Sequence, residues 1–320
     1  MIRYRKRRPM NTHSGNLILL QKNIEQRLIG KSGLVRKIIL VLLAGGHVLL
    51  EDVPGVGKTT LAKALADSLS ASFARIQCTP DTMPSDITGL TVYHMQRGEF
   101  ETIPGPVVNQ IVLADEINRM TPRTQAALLE AMEERQVTID GKPIPVPEPF
   151  MVIGTQNPME MAGTYPLPEA QLDRFMMRLQ VGYPSEENAM NMAQQFLKGE
   201  LHAATLPVLD AQQVLDMQEE VRSVQIHEDL IRYAAAIIDA TRQKQEIRYG
   251  ASPRALLELL RASQAMAYME GRDYCIPADI MEMAGCVLPH RLLLTSEAKM
   301  NHRTQESVLT QVIGSVPVPQ

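Results

Sequence analysis

The sequence predicts an α/β fold: a three-layer αβα sandwich on a central parallel sheet, followed by a small all-α helical domain. Three observations predict it. Short apolar runs alternate with amphipathic helical stretches over residues 16–182, the pattern of parallel strands covered by helices on both faces. Two of those runs end in chemistry-bearing strings, Glu51-Asp52-Val53-Pro54-Gly55-Val56-Gly57-Lys58-Thr59-Thr60 and Asp115-Glu116. After Gly182-Tyr183-Pro184 the strand pattern stops, and residues 210–223, 227–243, 252–270 and 277–288 all read as amphipathic helices.

The elements follow in order. Residues 16–45 read as helix, with a breaker at Gly30-Lys31-Ser32-Gly33. The run His47-Val48-Leu49-Leu50 is a strand, and Leu61, Leu65 and Leu69 mark one face of the helix after the glycine loop. Residues 72–77 form a second strand. Prolines and a glycine forbid a continuous helix over residues 80–90, and residues 90–100 read as a hairpin turning at Gln96-Arg97-Gly98-Glu99. Ile111-Val112-Leu113-Ala114 is a third strand. Thr121-Pro122 is an N-cap and first-turn pair for a helix whose Leu128, Leu129 and Met132 share one face, leaving Glu130, Glu133, Glu134 and Arg135 to solvent. Asp140-Gly141 is a hairpin turn, and Phe150-Met151-Val152-Ile153 a further strand running into Gly154-Thr155-Gln156-Asn157-Pro158. In the second domain Ser252-Pro253 caps a helix, and Leu256, Leu257, Leu260 and Met266 read as its core stripe.

Composition narrows the function. With 45% hydrophobic and 21% charged residues, the 320-residue chain reads as an ordinary soluble protein of about two domains. A net charge of -4, 4% aromatic residues and no Trp argue against a protein that grips nucleic acid. Cys78, Cys275 and Cys286 have no metal-ligand spacing and read as thiols in a reducing compartment, and the seven histidines form no metal pair. No stretch supports a membrane span, and the basic start Arg3-Tyr4-Arg5-Lys6-Arg7-Arg8 lacks the apolar run of a signal peptide. The expected location is the cytoplasm.

Strand, glycine loop and helix together are what a phosphate-binding loop needs. Gly55 and Gly57 let backbone N–H groups close on a polyphosphate, and the helix adds its positive end. Lys58 supplies a point charge for the β- and γ-phosphates and Thr59 a hydroxyl for Mg²⁺. Pro54, Val56 and Thr60 complete the loop, although Asp52 stands where the strict motif has glycine. Asp115 suits the Mg²⁺ shell and Glu116 the polarising of an attacking water. Asn157, at the carboxyl end of its strand, is placed to bond a γ-phosphate or that water, or simply to stabilise the turn before Pro158. Arg174 and Arg178 lie amid apolar residues. Arg254 sits in a first helical turn, where a bound phosphate would offset the mildly unfavourable dipole.

Taken together, the strings around Lys58, Asp115-Glu116-Ile117-Asn118-Arg119 and Asn157 resemble an AAA+ ATPase of the MoxR family, over residues 27–291. Tyr165-Pro166-Leu167-Pro168-Glu169-Ala170-Gln171-Leu172-Asp173-Arg174-Phe175 and Gly250-Ala251-Ser252-Pro253-Arg254-Ala255 carry the likeness further. The resemblance implies a P-loop core (residues 16–205) and a helical lid (206–312), between a flexible basic tail (1–15) and a C-terminal tail (313–320). It implies ATP with Mg²⁺ bound at the subunit interface of a homo-oligomeric ring, typically a hexamer. It assigns Arg174 as the finger reaching a neighbour's γ-phosphate and Arg254 as the second sensor. It also implies that residues 80–106 and 136–149 are the helix-2 insert and pre-sensor hairpin. The client would be a protein complex, in some relatives alongside a von Willebrand factor A domain protein. A nucleic-acid ring motor, a metal-chelatase motor subunit and a non-hydrolysing assembly scaffold stay open as alternatives. The hairpin tips, with only Lys142 and Arg97, speak against the first.

Overall fold

The structure, a computed structural model, describes residues 14–51, 55–157, 163–198 and 206–319. The expectations for the basic start and for Asp52 and Pro54 lie outside the described residues. The chain forms two compact units, one spanning Gln21–Leu215 and the other Asp216–Gln320 with the start of the chain.

The division falls within α1 (Ser14–Glu25), whose last residues open the first unit; α2 (Ser32–Leu43), β1 (Val48–Glu51), α3 (Lys58–Ser68), β2 (Phe73–Gln77) and α4 (Pro84–Thr88) run on through it. There follow the hairpin β3 (Gly89–His94) and β4 (Glu99–Pro104), then β5 (Ile111–Asp115) and α5 (Pro122–Glu134). The hairpin β6 (Gln136–Ile139) and β7 (Lys142–Pro145) leads to β8 (Met151–Gln156), α6 (Glu169–Leu172), β9 (Met177–Leu179) and α7 (Glu186–Leu197). Five strands form one sheet in the order β2-β5-β8-β1-β9, and every neighbouring pair is parallel. All five therefore end at the same edge of the sheet, the carboxyl edge where open α/β sheets place their ligands.

The middle strands are buried on both faces, which is why they read as unbroken apolar runs: Val48, Leu49, Leu50, Ile111, Val112, Leu113, Val152 and Ile153 are each 0% exposed. Leu61, Leu65 and Leu69 are buried just as fully beneath α3, each contributing about 1.5–3 kcal/mol of hydrophobic stabilisation. Phe175 lies so close to β8 that a Cβ on Gly154 would come within 3.1 Å of its ring. Thr121 caps α5, its side chain accepting the Thr124 N–H. The turn between β6 and β7 takes positive φ at both Asp140 (48°) and Gly141 (78°), the primed geometry that suits strand twist.

Two side chains lock the amino edge. Buried His47 accepts the Val152 N–H at Nδ1 (2.9 Å) and donates from Nε2 to the Met132 carbonyl (3.3 Å), so it is neutral and structural. Arg135 corrects the expectation of a solvated residue. Its guanidinium donates to the Phe150 and Gly45 carbonyls at 2.7 and 2.5 Å and lies over the Phe150 ring, tying the end of α5 to the sheet.

The second unit holds most of α8 (Ala211–Ser223), then α9 (Glu228–Gln243), β10 (Ile247–Tyr249), α10 (Pro253–Met269), α11 (Pro277–Val287), β11 (Leu293–Leu294), α12 (Ser296–Met300) and α13 (Gln305–Ser315). It is not wholly helical: β10 and β11 pair antiparallel, Ile247 opposite Leu294. Strands this short carry no readable alternation. The stripe on α10 also differs from expectation. Ala255, Leu259, Ala262 and Met266 are buried, whereas Leu257 is 59% exposed. Small residues on the inner face let α11 and α9 approach, and the leucines flank that contact.

Candidate active site

The glycine loop is set by backbone conformation. Gly55 has φ 84°, and Gly57 is the left-handed N-cap of α3 with φ 96°. Side chains rarely adopt such angles, so both positions call for glycine. The turn delivers Lys58 as the first residue of α3, nine-tenths buried, with Thr59 half-buried and Thr60 exposed behind it.

β5 ends at Asp115, and Glu116 follows in the left-handed region at φ 60°, ψ 52°. That conformation turns the chain sharply off the sheet and is uncommon for a non-glycine residue. Thr155 on the neighbouring strand holds the corner. Its hydroxyl donates to Asp115 Oδ1 at 2.7 Å and accepts the Glu116 N–H at 2.8 Å. Glu116 Oε2 is bonded by Arg119 at 3.0 Å, and Asp115 Oδ2 by Arg75 at 2.6 Å. Asn157 comes directly after β8 and is 4% exposed. Lys58, Asp115, Glu116 and Asn157 thus all gather at the carboxyl edge, on the ends of β1, β5 and β8.

Arg174 is not with them. It precedes β9, whose neighbouring residue Met176 bonds the carbonyl of His47 just before β1, so it lies at the amino edge. There it donates to the Ala170 carbonyl at 3.2 Å and lies 3.6 Å from Glu133. Arg178 is inside the sheet, 3.6 Å from Glu51. In the second unit, Arg254 occupies the first turn of α10, half-buried beside the Ser252 cap, whose Oγ accepts the Ala255 N–H at 3.1 Å.

Burial together with the Asp115 and Glu116 carboxylates pushes the Cys78 thiol up to about 12, so it is a neutral filler behind the site. Among the described residues no three His, Cys, Asp or Glu side chains form a metal cage, and no helix is long and apolar enough to cross a membrane. Thr59 and Asp115 do offer the hard oxygen donors that Mg²⁺ takes alongside phosphate and water, and Asp115, 14% exposed, is still reachable.

Comparison with known proteins places this geometry. The model for the ATPase family associated with various cellular activities (AAA) matches residues 47–177, and that of the AAA lid domain matches residues 239–312. YeaC of Bacillus subtilis (strain 168) is 45% identical over 298 residues, 93% of each chain. Chaperone MoxR1 of Mycobacterium tuberculosis is 41% identical over 306 residues, covering 93% of this chain and 81% of its own. The chain belongs to the MoxR family of AAA+ ATPases. A crystal structure from Cytophaga hutchinsonii, carrying the provisional name of ATPase, superposes with a TM-score of 0.91 at 35% identity, over 98% of this chain and 97% of that one. The P-loop αβα core and helical lid expected from the MoxR resemblance are therefore the fold of this chain.

Three residues beside this candidate site have no role assigned from sequence. Thr155, Arg75 and Arg119 contact the two carboxylates, yet Thr155 and Arg75 lie 40 positions from Asp115 on other strands. Only the sheet order makes them neighbours. Arg119, three residues after Glu116, had a helical-spacing signal that could have found it.

Proposed function

We propose that this chain hydrolyses ATP at the carboxyl edge of its sheet, within a homo-oligomeric ring, and uses the cycle to remodel or activate a client protein complex. The reading is supported by the split of functional groups between the two edges of one parallel sheet. The glycine loop, Lys58, Asp115, Glu116 and Asn157 share the carboxyl edge, while Arg174 stands at the amino edge, out of reach of its own site. A group so placed serves a neighbour. The ring, typically a hexamer in the resemblance, supplies that neighbour.

In this reading Gly55, Val56, Gly57 and Thr60 line the phosphates with backbone N–H groups. Lys58 neutralises the β- and γ-phosphates. Thr59 and Asp115 hold Mg²⁺, which supplies charge neutralisation on the phosphate oxygens when bound. Glu116 orients the attacking water and takes its proton, with Asn157 fixing the same water or the γ-phosphate. Arg174 arrives from the adjacent protomer to stabilise charge on the transferring phosphoryl group, and Arg254 senses the nucleotide from the lid. Residues 16–205 form the nucleotide core and 206–312 the lid whose movement carries the work. MoxR1 bears the name chaperone, and a client complex, with a von Willebrand factor A domain protein as one form of partner, fits a cytoplasmic machine of this kind.

ATP-binding and turnover assays on the purified chain test the reading. Lys58→Ala should lose ATP binding, and Glu116→Gln should bind ATP with turnover down about 10²-fold or more. Normal ATP binding by the first, or wild-type turnover by the second, would overturn it.

A further inference from the structure

The two oxygens of Asp115 keep different company. Oδ1 accepts from the Thr155 hydroxyl at 2.7 Å, whereas Oδ2 accepts from Arg75 Nη2 at 2.6 Å. Arg75 comes from β2, the edge strand, where Gln77 stands opposite Asp115 in the parallel register. Residues two apart on a strand share a face, so Arg75, Gln77 and Asp115 project to the same side. Nη2 also donates to Gln77 Oε1 at 2.6 Å, which steers the guanidinium onto the carboxylate. The Asp115 side chain is 14% exposed and that of Arg75 46%. The carboxylate is fixed, while the arginine has open solvent to move into.

Charge counting adds a second point. Asp115 is paired with Arg75 and Glu116 with Arg119, so two carboxylates are matched by two guanidiniums. A free divalent cation approaching this quartet meets no net negative charge. A triphosphate brings several negative charges of its own, draws cations toward itself and gives a displaced guanidinium somewhere to go.

We propose that Arg75 is a positioning residue, the resident counter-ion of Asp115. It holds the carboxylate in place while the nucleotide site is empty and competes with a divalent cation for Oδ2, so that Mg²⁺ enters with the phosphates and not ahead of them. This rests on Asp115 serving the Mg²⁺ shell as described above. Arg75 thereby sets the Mg²⁺ concentration the site requires. Thr155, an uncharged donor on the other oxygen, keeps its bond whether or not the cation is present.

The test is equilibrium binding of a fluorescent ATP analogue to the full chain, titrated with MgCl₂ from an EDTA-containing buffer. Wild type, Arg75→Gln, Arg75→Lys, Asp115→Asn and the Arg75→Gln/Asp115→Asn double variant are compared, each first shown by circular dichroism to be folded. The half-saturating Mg²⁺ concentration should fall at least threefold in Arg75→Gln and stay within twofold of wild type in Arg75→Lys. It should rise in Asp115→Asn, and adding Arg75→Gln to that background should change nothing. If Asp115→Asn shifts the Mg²⁺ requirement but Arg75→Gln leaves it unchanged or raises it, the counter-ion role is overturned and the site assignment stands. If Asp115→Asn shifts nothing, the assignment of Asp115 fails and takes the counter-ion role with it.

Discussion

Thr155 donates its hydroxyl to Asp115 at 2.7 Å from the adjacent strand, and the same oxygen accepts the Glu116 N–H at 2.8 Å. One buried threonine, 0% exposed, therefore fixes both the carboxylate assigned to Mg²⁺ and the backbone turn that aims the carboxylate assigned to water. Thr155→Val keeps the shape and removes the hydroxyl, leaving a part-buried acceptor and a part-buried donor without that partner at a cost of about 1 kcal/mol each. Turnover should fall at least about tenfold while ATP affinity changes less, because the loss falls on transition-state geometry more than on ground-state binding. Thr155→Ser should restore most of the turnover. Steady-state kinetics beside thermal unfolding of the three proteins check this.

Gly57 predicts a second result. Its φ of 96° places alanine in a strained backbone region, and a Cβ would also stand 3.2 Å from Leu28 Cδ1. Gly57→Ala should cost about 1–2 kcal/mol of stability and weaken ATP binding at least about tenfold, since relief of the strain moves the N–H groups at the start of α3. Thermal unfolding and fluorescent-nucleotide titration measure the two effects separately.

Alkaline pH should destabilise the fold. Burial pushes the thiols of Cys78 and Cys275 up to about 12 from a reference of 9.0. It also raises the Tyr268 phenol, which donates to Glu220 and is repelled in its ionised form by that carboxylate. Between the ordinary and the raised values the unfolded chain has released protons that the native chain still holds. The native state then binds more protons, so stability falls as pH rises. Below about pH 8 these groups are protonated in both states and add no pH dependence, and the urea midpoint should drop progressively from about pH 9 upward. The same burial predicts that a thiol reagent at neutral pH modifies partly exposed Cys286 first and reaches Cys78 and Cys275 only on unfolding.

Much of this was legible in the chain because β1, β5 and β8 are buried on both faces and so appear as unbroken apolar runs, each ending in the residues that matter. Lys58, Asp115 and Asn157 could be placed at one edge from that pattern alone. Thr155, Arg75 and the amino-edge position of Arg174 could not, since each depends on strand order, which period and composition leave undetermined. On α10, hydrophobicity pointed to Leu257, but close helix packing selected the small residues and Leu259. Leu259→Ala should therefore cost about 2–5 kcal/mol, and Leu257→Ala about 0.5 kcal/mol or less, by urea unfolding.

The central claim is that each active site draws on two protomers, and subunit mixing tests it most directly. Arg174→Ala subunits keep every carboxyl-edge group but offer no guanidinium to a neighbour, and Glu116→Gln subunits do the reverse. Each alone should hydrolyse ATP poorly, and co-assembled rings of the two should hydrolyse it well above the sum of the separate rates. A mixture no faster than that sum, or an Arg174→Ala protein running at wild-type speed by itself, would contradict it.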